Sequence, residues 1–532
     1  MLQKKLMGAI LAVLGAGATS VAGAAGTTHI EAGRLGRLSA APLASRLGLG
    51  VNTSLVQREA IATRHGTIKT REQQTFRGVP VYGSHVVVER DRSGNVLAVA
   101  GEVQRDPGKQ LASVTPRLTA LQAQAALKQH MGQLAAPGLR NGEATLFVYP
   151  KAGGAVTLAY RTSYLVPVKG HMSRPTAIVD ANTGAVIRQW EGITTGRLPP
   201  GGSTTPVAVS ATGPGGNQLT GEYFYDGSGP GQEKLDAQKS GTTCYLQDAD
   251  VATYNLAGGQ RVVQWSFGCV GSDPSRYVSS GDAINGAFSP INDAHHFGGV
   301  VQNMYRDWFA EPALTTDGST PMQLAMWVHY GTNYENAFWD GREMVFGDGD
   351  QYFYPFVVLD ITGHEISHGF TEQHSGLEYT AQSGGMNEAF SDMAGEAVKF
   401  YDRGANDFMV GADIVKPSTV PLLGLPALRD MCTPSNDGAS IDNAAQYYDG
   451  IDVHYSSGVY NRAFCTLAKT AGWDTRKAFE VFHDANALYW GPSETFDTGA
   501  CGVEGAAKDR GYAVADVTAA FTAVGVTCAA PR

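Results

Sequence analysis

The chain has 532 residues, 43% of them hydrophobic and 17% charged. That length exceeds what one hydrophobic core supports, and that composition excludes a largely disordered chain, so several globular units are expected. The net charge of -10 is unevenly spread: residues 25–208 carry 21 Lys/Arg against 10 Asp/Glu, whereas residues 209–532 carry 17 against 40.

An acidic second part is a poor partner for nucleic acid. Two parts of opposite sign either attract each other or are solvated independently, and composition leaves both open.

Residues 1–24 join Lys4 and Lys5 to an apolar run over 6–18 and a closing Ala22-Gly23-Ala24. This is the pattern of a cleavable export signal. The run is too short to span a bilayer comfortably, and no later stretch is long and apolar enough. A secreted, extracellular protein without a membrane span is expected.

Between 25 and 110 the pattern alternates as strands do. Residues 73–81 lead through a Gly83-Ser84 turn into a strand at 86–89, and a turn at 92–95 precedes another at 96–99. Residues 118–131 have helical spacing, and strands follow at 145–149, 156–166, 177–179 and 186–190. The result is a small α+β module with no cluster of ligands or nucleophiles. Residues 194–216 are rich in Gly, Pro, Thr and Ser and read as an exposed linker at the charge boundary, the natural place for processing.

From 223 to 354 turns and short strands dominate, among them 322–330 and 343–346, with one helix at 289–309. Beyond 356 the pattern is mostly helical, with helices expected at 384–402, 456–471, 475–490 and 501–507. The acidic part thus has a β-rich half and an α-rich half, and a cleft between lobes is where a site is expected.

All six cysteines, Cys244, Cys269, Cys432, Cys465, Cys501 and Cys528, lie in that part, and none shows CxxC spacing. Behind an export signal an even count reads as disulfides. Pairing by proximity gives 244–269, 432–465 and 501–528, one of about 15 connectivities, and free buried thiols are the other reading.

At the junction of the two halves stands His364-Glu365-Ile366-Ser367-His368. Histidines four apart share one helix face, where two neutral imidazoles reach one zinc ion with Glu365 beside it as general base. Glu388 follows 24 residues after His364, far enough for a second helix to return alongside. Two histidines and a glutamate leave a fourth position of a tetrahedral zinc for water. Asp392, one turn on, can accept the other ring N–H of His364. Glu396 extends the acidic stripe, and a calcium ion serving it together with Asp360 would relieve the repulsion. The bland alternative is a solvated acidic face.

The spacing from HExxH to the glutamate of NEAFSD resembles the thermolysin-like neutral zinc metalloproteases, and most of all their pseudolysin/vibriolysin branch. The resemblance extends through Asn336-Ala337-Phe338-Trp339-Asp340-Gly341, Gly376-Leu377-Glu378-Tyr379 and Asp452-Val453-His454-Tyr455-Ser456-Ser457-Gly458 to Val524-Gly525-Val526-Thr527-Cys528, covering essentially all of 213–532. Residues 25–195 resemble that family's removable prosegment.

The resemblance implies an α+β, two-lobed zinc metalloprotease. A β-rich N-terminal lobe (209–360) and a mainly α-helical C-terminal lobe (361–532) follow an α+β prosegment (25–208), with cleavage within about 196–212. It implies Tyr379 and His454 as donors to the oxyanion, with Asp452 or Asp449 keeping His454 protonated. Asn336 and Ala337 would bind extended substrate along an edge strand, and Arg429 a substrate carbonyl. Ile361, Leu428 and Val410 would line the pocket for an apolar side chain just after the cut. Calcium would be held by Asp360, Glu396, Asp407 and the Met409 carbonyl, but Lys399 stands where the branch has another acidic ligand, its ammonium either replacing part of the calcium charge or pointing into solvent. Expected partners are peptide and protein substrates and the prosegment, as inhibitor and folding aid; the mature enzyme is expected to be a monomer. The rival readings are an aminopeptidase of HExxH type and a non-catalytic secreted protein with structural zinc. The first lacks an evident anchor for a free amino terminus, and the second needs a closed zinc.

Overall fold

A computed structural model describes residues 27–30, 42–136, 139–151, 155–168, 171–192, 207–259 and 262–528. The expected export signal and most of the expected linker lie outside these residues.

Alternation in the first part produces strands β1 (Thr53–Ala62), β2 (Ile68–Phe76), β3 (Val79–Arg90) and β4 (Val96–Gln104), paired antiparallel in that order. The β2–β3 reversal is made by Arg77 and Gly78, both at positive φ (50° and 81°), which suits a two-residue hairpin. The expected turn at Gly83-Ser84 is instead an irregularity inside β3, where the register shifts. The expected turn at 92–95 is present, with Asp91 Oδ1 accepting the Ser93 and Asn95 amides at 2.9 Å.

A second antiparallel set, β5 (Arg140–Pro150), β6 (Val156–Val168), β7 (Pro175–Asp180) and β8 (Val186–Glu191), joins β3 through the parallel Val81–Val148 pair. Helix α1 (Ala120–His130) starts at a Thr119–Gln122 capping box and buries Ala123 and Leu127 against this sheet.

In the acidic part β9 (Val251–Asn255), β10 (Leu324–Tyr330) and β12 (Glu343–Gly347) run parallel, while β11 (Ala337–Trp339) pairs antiparallel with β12 at the sheet edge. Helix α2 (Pro290–Phe309), capped by Ser289, lies between this sheet and the helical region. The longer helices that follow are α3 (Leu359–Gln373), α4 (Ala381–Arg403), α5 (Gly458–Ala468), α6 (Thr475–Asp484), α7 (Phe496–Arg510) and α8 (Val514–Ala523). The fold is α+β, with a β-rich region, a helical region and a separate first module.

Three expected helices have other limits. The one at 456–471 breaks at Ser457 into Val453–Ser456 and α5. The one at 475–490 is α-helical only to Asp484 and finishes as a π-turn over Ala485–Tyr489. The one at 501–507 extends to all of α7, whose Gly499 and Gly502 pack closely on Tyr460 and Trp490. The cysteines pair as neighbours in sequence: Cys244–Cys269, Cys432–Cys465 and Cys501–Cys528.

Helices α3 and α4 cross where neither carries a side chain. A Cβ on Gly395 would lie 2.5 Å from the Asp360 carbonyl, and one on Gly363 would lie 3.2 Å from Gly395 Cα. This close crossing lets α4 present carboxylates to the histidines of α3.

The candidate zinc site and its cover

Helix α3 is buried over 359–371. It turns His364 and His368 toward α4, where Glu388 and Asp392 are both fully buried. Both Nδ1 atoms are engaged: that of His364 with Asp392 Oδ1 at 2.9 Å, that of His368 with Asn387 Oδ1 at 2.7 Å. The two Nε2 atoms face each other 2.9 Å apart. Glu388 completes the group, with its oxygens 3.6 Å from His364 Nε2 and 3.4 Å from His368 Nε2.

Lone pairs converging this closely need a cation between them. Glu388 Oε2 is buried and, among the described residues, has no hydrogen-bond partner. Two neutral imidazoles and one carboxylate are a catalytic zinc set, and ring N–H groups already held by side-chain oxygens are how such histidines are oriented. The residues fit zinc.

Glu365 Oε2 accepts the Trp339 amide at 2.8 Å, tying α3 to edge strand β11. Burial raises the pKa of its carboxyl, an effect opposed by both histidines. Tyr379 Oη donates to Glu388 Oε1 and lies 3.3 Å from His454 Nε2. His454 Nδ1 lies 2.8 Å from Asp452 Oδ1, so Asp452 is the carboxylate on this ring, while Asp449 is exposed. Burial lowers the pKa of His454, but Glu388 and Asp452 outweigh it and the net shift is upward.

Arg429 grips Asp392 with two bonds, Nε to Oδ2 at 2.8 Å and Nη2 to Oδ1 at 2.6 Å. Asn461 Nδ2 donates to the same carboxylate at 2.8 Å. Burial would raise the Asp392 pKa; Arg429 and His364 overcome it and hold it well below the usual range. The resemblance implies a substrate role for Arg429, and no sequence pattern signals its bond to Asp392, nor the contacts of Asn461, Asn387 and the Trp339 amide. Only tertiary contacts carry these.

Val410 and Arg429 pair across two short strands, β13 (Met409–Val410) and β14 (Arg429–Asp430), and Leu428 donates its amide to the Val410 carbonyl at 2.8 Å. Val410 and Ile361 share one buried cluster, with Leu428 packed on it. Asn336 and Ala337 lie at the β11 edge, where the Asn336 carbonyl accepts Gly347 N at 3.0 Å.

The expected calcium ligands do gather, but around Lys399. Its Nζ lies 3.4 Å from Asp360, 2.8 Å from Glu396, 2.5 Å from Asp407 and 3.3 Å from the Met409 carbonyl. A lysine ammonium occupies the centre of that ligand set.

The first module covers the site. Ala159, Ile178 and Trp190 form a buried cluster against which Tyr379 packs. Arg188 pairs with the buried Glu378, which also accepts Tyr82 Oη at 2.6 Å. Arg174 and Arg161 reach Glu372, one turn beyond His368, at 3.2 and 3.7 Å. Lys69 pairs with Asp509 at 2.7 Å, and Arg71 Nη1 donates to the Trp490 carbonyl at 2.7 Å. The opposite charges of the two parts therefore meet.

A family model described as the thermolysin metallopeptidase catalytic domain matches residues 219–372, and one for its alpha-helical domain matches 375–526. A hemagglutinin/proteinase of Vibrio cholerae is 46% identical over 467 residues, covering 87% of this chain and 71% of that protein. The chain belongs to the thermolysin metallopeptidase family. It is a zinc metalloprotease of that family made with a propeptide, since the fungalysin/thermolysin propeptide motif matches residues 54–103, which span β1 to β4. A neutral protease of Vibrio proteolyticus is 44% identical over 481 residues, covering 90% of this chain and 74% of that protein. A solved precursor of protealysin, a metalloproteinase from Serratia proteamaculans, aligns over 54% of this chain and 89% of that one, at 26% identity and a TM-score of 0.45. Among the described residues of this thermolysin-family protease, no helix is long and apolar enough to cross a membrane.

Proposed function

We propose that the chain is an exported endopeptidase that cuts on the N-terminal side of bulky apolar residues and processes its own precursor. The observation that carries this reading is the convergence of His364, His368 and Glu388 beside a buried Glu365. In it, residues 1–24 direct export, 25–208 form the prosegment, and cleavage within about 196–212 frees lobes 209–360 and 361–532 to act on protein substrates as a monomer.

Zinc held by His364, His368 and Glu388 would supply Lewis acidity, making water acidic and the peptide carbonyl electrophilic. Asp392 and Asn387 hold the two rings so that Nε2 of each faces inward. Glu365 takes the proton of the attacking water and gives it to the leaving amine; burial raises its basicity for that task. Tyr379 and His454 donate to the oxyanion, and Asp452 keeps the His454 ring charged. Asn336 and Ala337 offer an edge strand on which extended substrate pairs through its backbone. Ile361, Val410 and Leu428 form an apolar wall that favours a bulky side chain after the cut.

The prosegment inhibits by packing on Tyr379 and pairing with Glu378, the residue before it, and with Glu372, one turn beyond His368. Substituting Glu365→Gln tests the reading. The variant should bind zinc normally, fail to cleave an amino-blocked peptide, and accumulate as uncut precursor. Normal maturation of that purified variant with no other protease present would overturn self-processing. Cleavage of free-amino peptides only, by the native enzyme, would favour an aminopeptidase instead.

A further inference from the structure

Lys399 is a surprising tenant for its surroundings. Its side chain is 4% exposed, and the carboxylates of Asp360 and Glu396 beside it are 1% and 0% exposed. A buried ammonium is tolerated only when it is paired and hydrogen-bonded. Here four oxygens surround it, three from carboxylates and one from the Met409 carbonyl. A calcium ion sits about 2.3–2.6 Å from each of its oxygens. At the centre of these same acceptors it would collide with Nζ, so the residues present do not fit calcium while Lys399 keeps this position.

We infer that Lys399 is a tethered replacement for a divalent cation, so that this part of the cleft wall keeps its shape without calcium. One ammonium carries half the charge of calcium. Local donors supply the rest of the compensation. Glu396 Oε2 accepts the Phe408 amide at 2.7 Å and Asn406 Nδ2 at 2.8 Å, and Asp360 Oδ2 accepts the Gly411 amide at 2.9 Å. Nearby, Arg403 pairs with Asp413 at 3.1 Å. The cluster joins three parts of the site wall. Asp360 lies one turn before His364 on α3, Glu396 and Lys399 lie on α4, and Asp407 opens the segment that carries Val410. A monovalent cation attached to α4 ties these together at any calcium concentration.

The test uses the full chain in a Glu365→Gln background, so that it stays uncut, with free zinc buffered at one value. Thermal unfolding is followed in EGTA and in millimolar calcium. The parent should melt at the same temperature in both. Lys399→Glu should melt lower in EGTA and recover with calcium, and adding Glu396→Gln should erase that recovery. A calcium-induced rise in the parent as large as in Lys399→Glu would overturn the inference, as would a Lys399→Glu variant indifferent to calcium. If Lys399→Glu does not fold, calorimetric calcium titration of the parent against its Glu396→Gln variant decides. Binding lost in Glu396→Gln refutes the tethered cation, and the absence of any such difference supports it.

Discussion

Arg429 separates two accounts of the cleft. The family resemblance implies that it binds a substrate carbonyl; the structure has it clamping Asp392. Consider Arg429→Met, which keeps much of the volume and removes the charge. Asp392 is 0% exposed and Arg429 13% exposed, so the pair is buried. Removing one partner of a buried pair costs about 3–5 kcal/mol, because the other charge is left uncompensated. Asp392 would retain His364 Nδ1 and Asn461 Nδ2, which places the expected cost near the lower end, about 3 kcal/mol. A protonated or displaced Asp392 no longer fixes the His364 ring, and losing such an outer partner typically weakens metal binding about 10- to 100-fold. Zinc affinity measured by chelator competition should fall by that factor, and kcat with it. Arg429→Lys keeps the charge without the two-pronged geometry and should fall between. An unchanged zinc affinity with a raised KM would refute the clamp and restore the substrate role.

Two further outcomes follow from other buried charges. His329 lies between Asp348 and Asp282, at 2.7 and 3.5 Å; burial lowers its pKa, but both carboxylates raise it, to about 9. A raised histidine stabilises fully below its unfolded value, about 6.5, and that contribution is lost as pH rises through about 9. The stake is about 3 kcal/mol, so unfolding monitored from pH 6 to 10 should show a loss in the parent that His329→Gln lacks; parallel curves would remove the explanation. Arg188→Met leaves Glu378, 1% exposed, with the Tyr82 hydroxyl and the more distant charge of Arg161, and these together with the 21% exposure of Arg188 keep the cost near about 3 kcal/mol. In the Glu365→Gln precursor, limited proteolysis should then attack the first module faster; an unchanged cutting rate would show that Arg188 does not hold it.

Which features could be read in advance depends on how local their causes are. His364, His368 and Glu388 were legible because two sit on one helix face and the third follows at a spacing that a hairpin of helices satisfies. The carboxylate of His454 was not, since Asp449 and Asp452 are both near in sequence. Asp452 has the role because it caps the Val453–Ser456 turn: the oxygen that accepts the His454 amide at 3.0 Å also reaches Nδ1. In sequence Gly83 suggests the β2–β3 turn, whereas Arg77-Gly78 supplies the paired positive φ of a tight hairpin. Helix α7 was underestimated because its glycines lower intrinsic propensity, and the helix exists through close packing that no local pattern encodes.

The charge asymmetry acquires a meaning that a net count lacks. The cations of the first module are not spread over a generic acidic face. Arg161 and Arg174 meet Glu372, four residues after His368, and Arg188 meets Glu378, the residue before Tyr379. The acids they neutralise flank the histidine–glutamate cluster and Tyr379, the proposed oxyanion donor. These pairs stand beside apolar contacts: Leu165 and Met172 share a buried cluster with Leu256, Trp327, Phe338 and Val345, and Tyr379 packs on Ala159, Ile178 and Trp190. Charge pairing gives orientation and specificity, and its net strength stays modest because each ion gives up water on docking. Under the proposed processing, a prosegment is held at high effective concentration while attached and less firmly once the linker is severed.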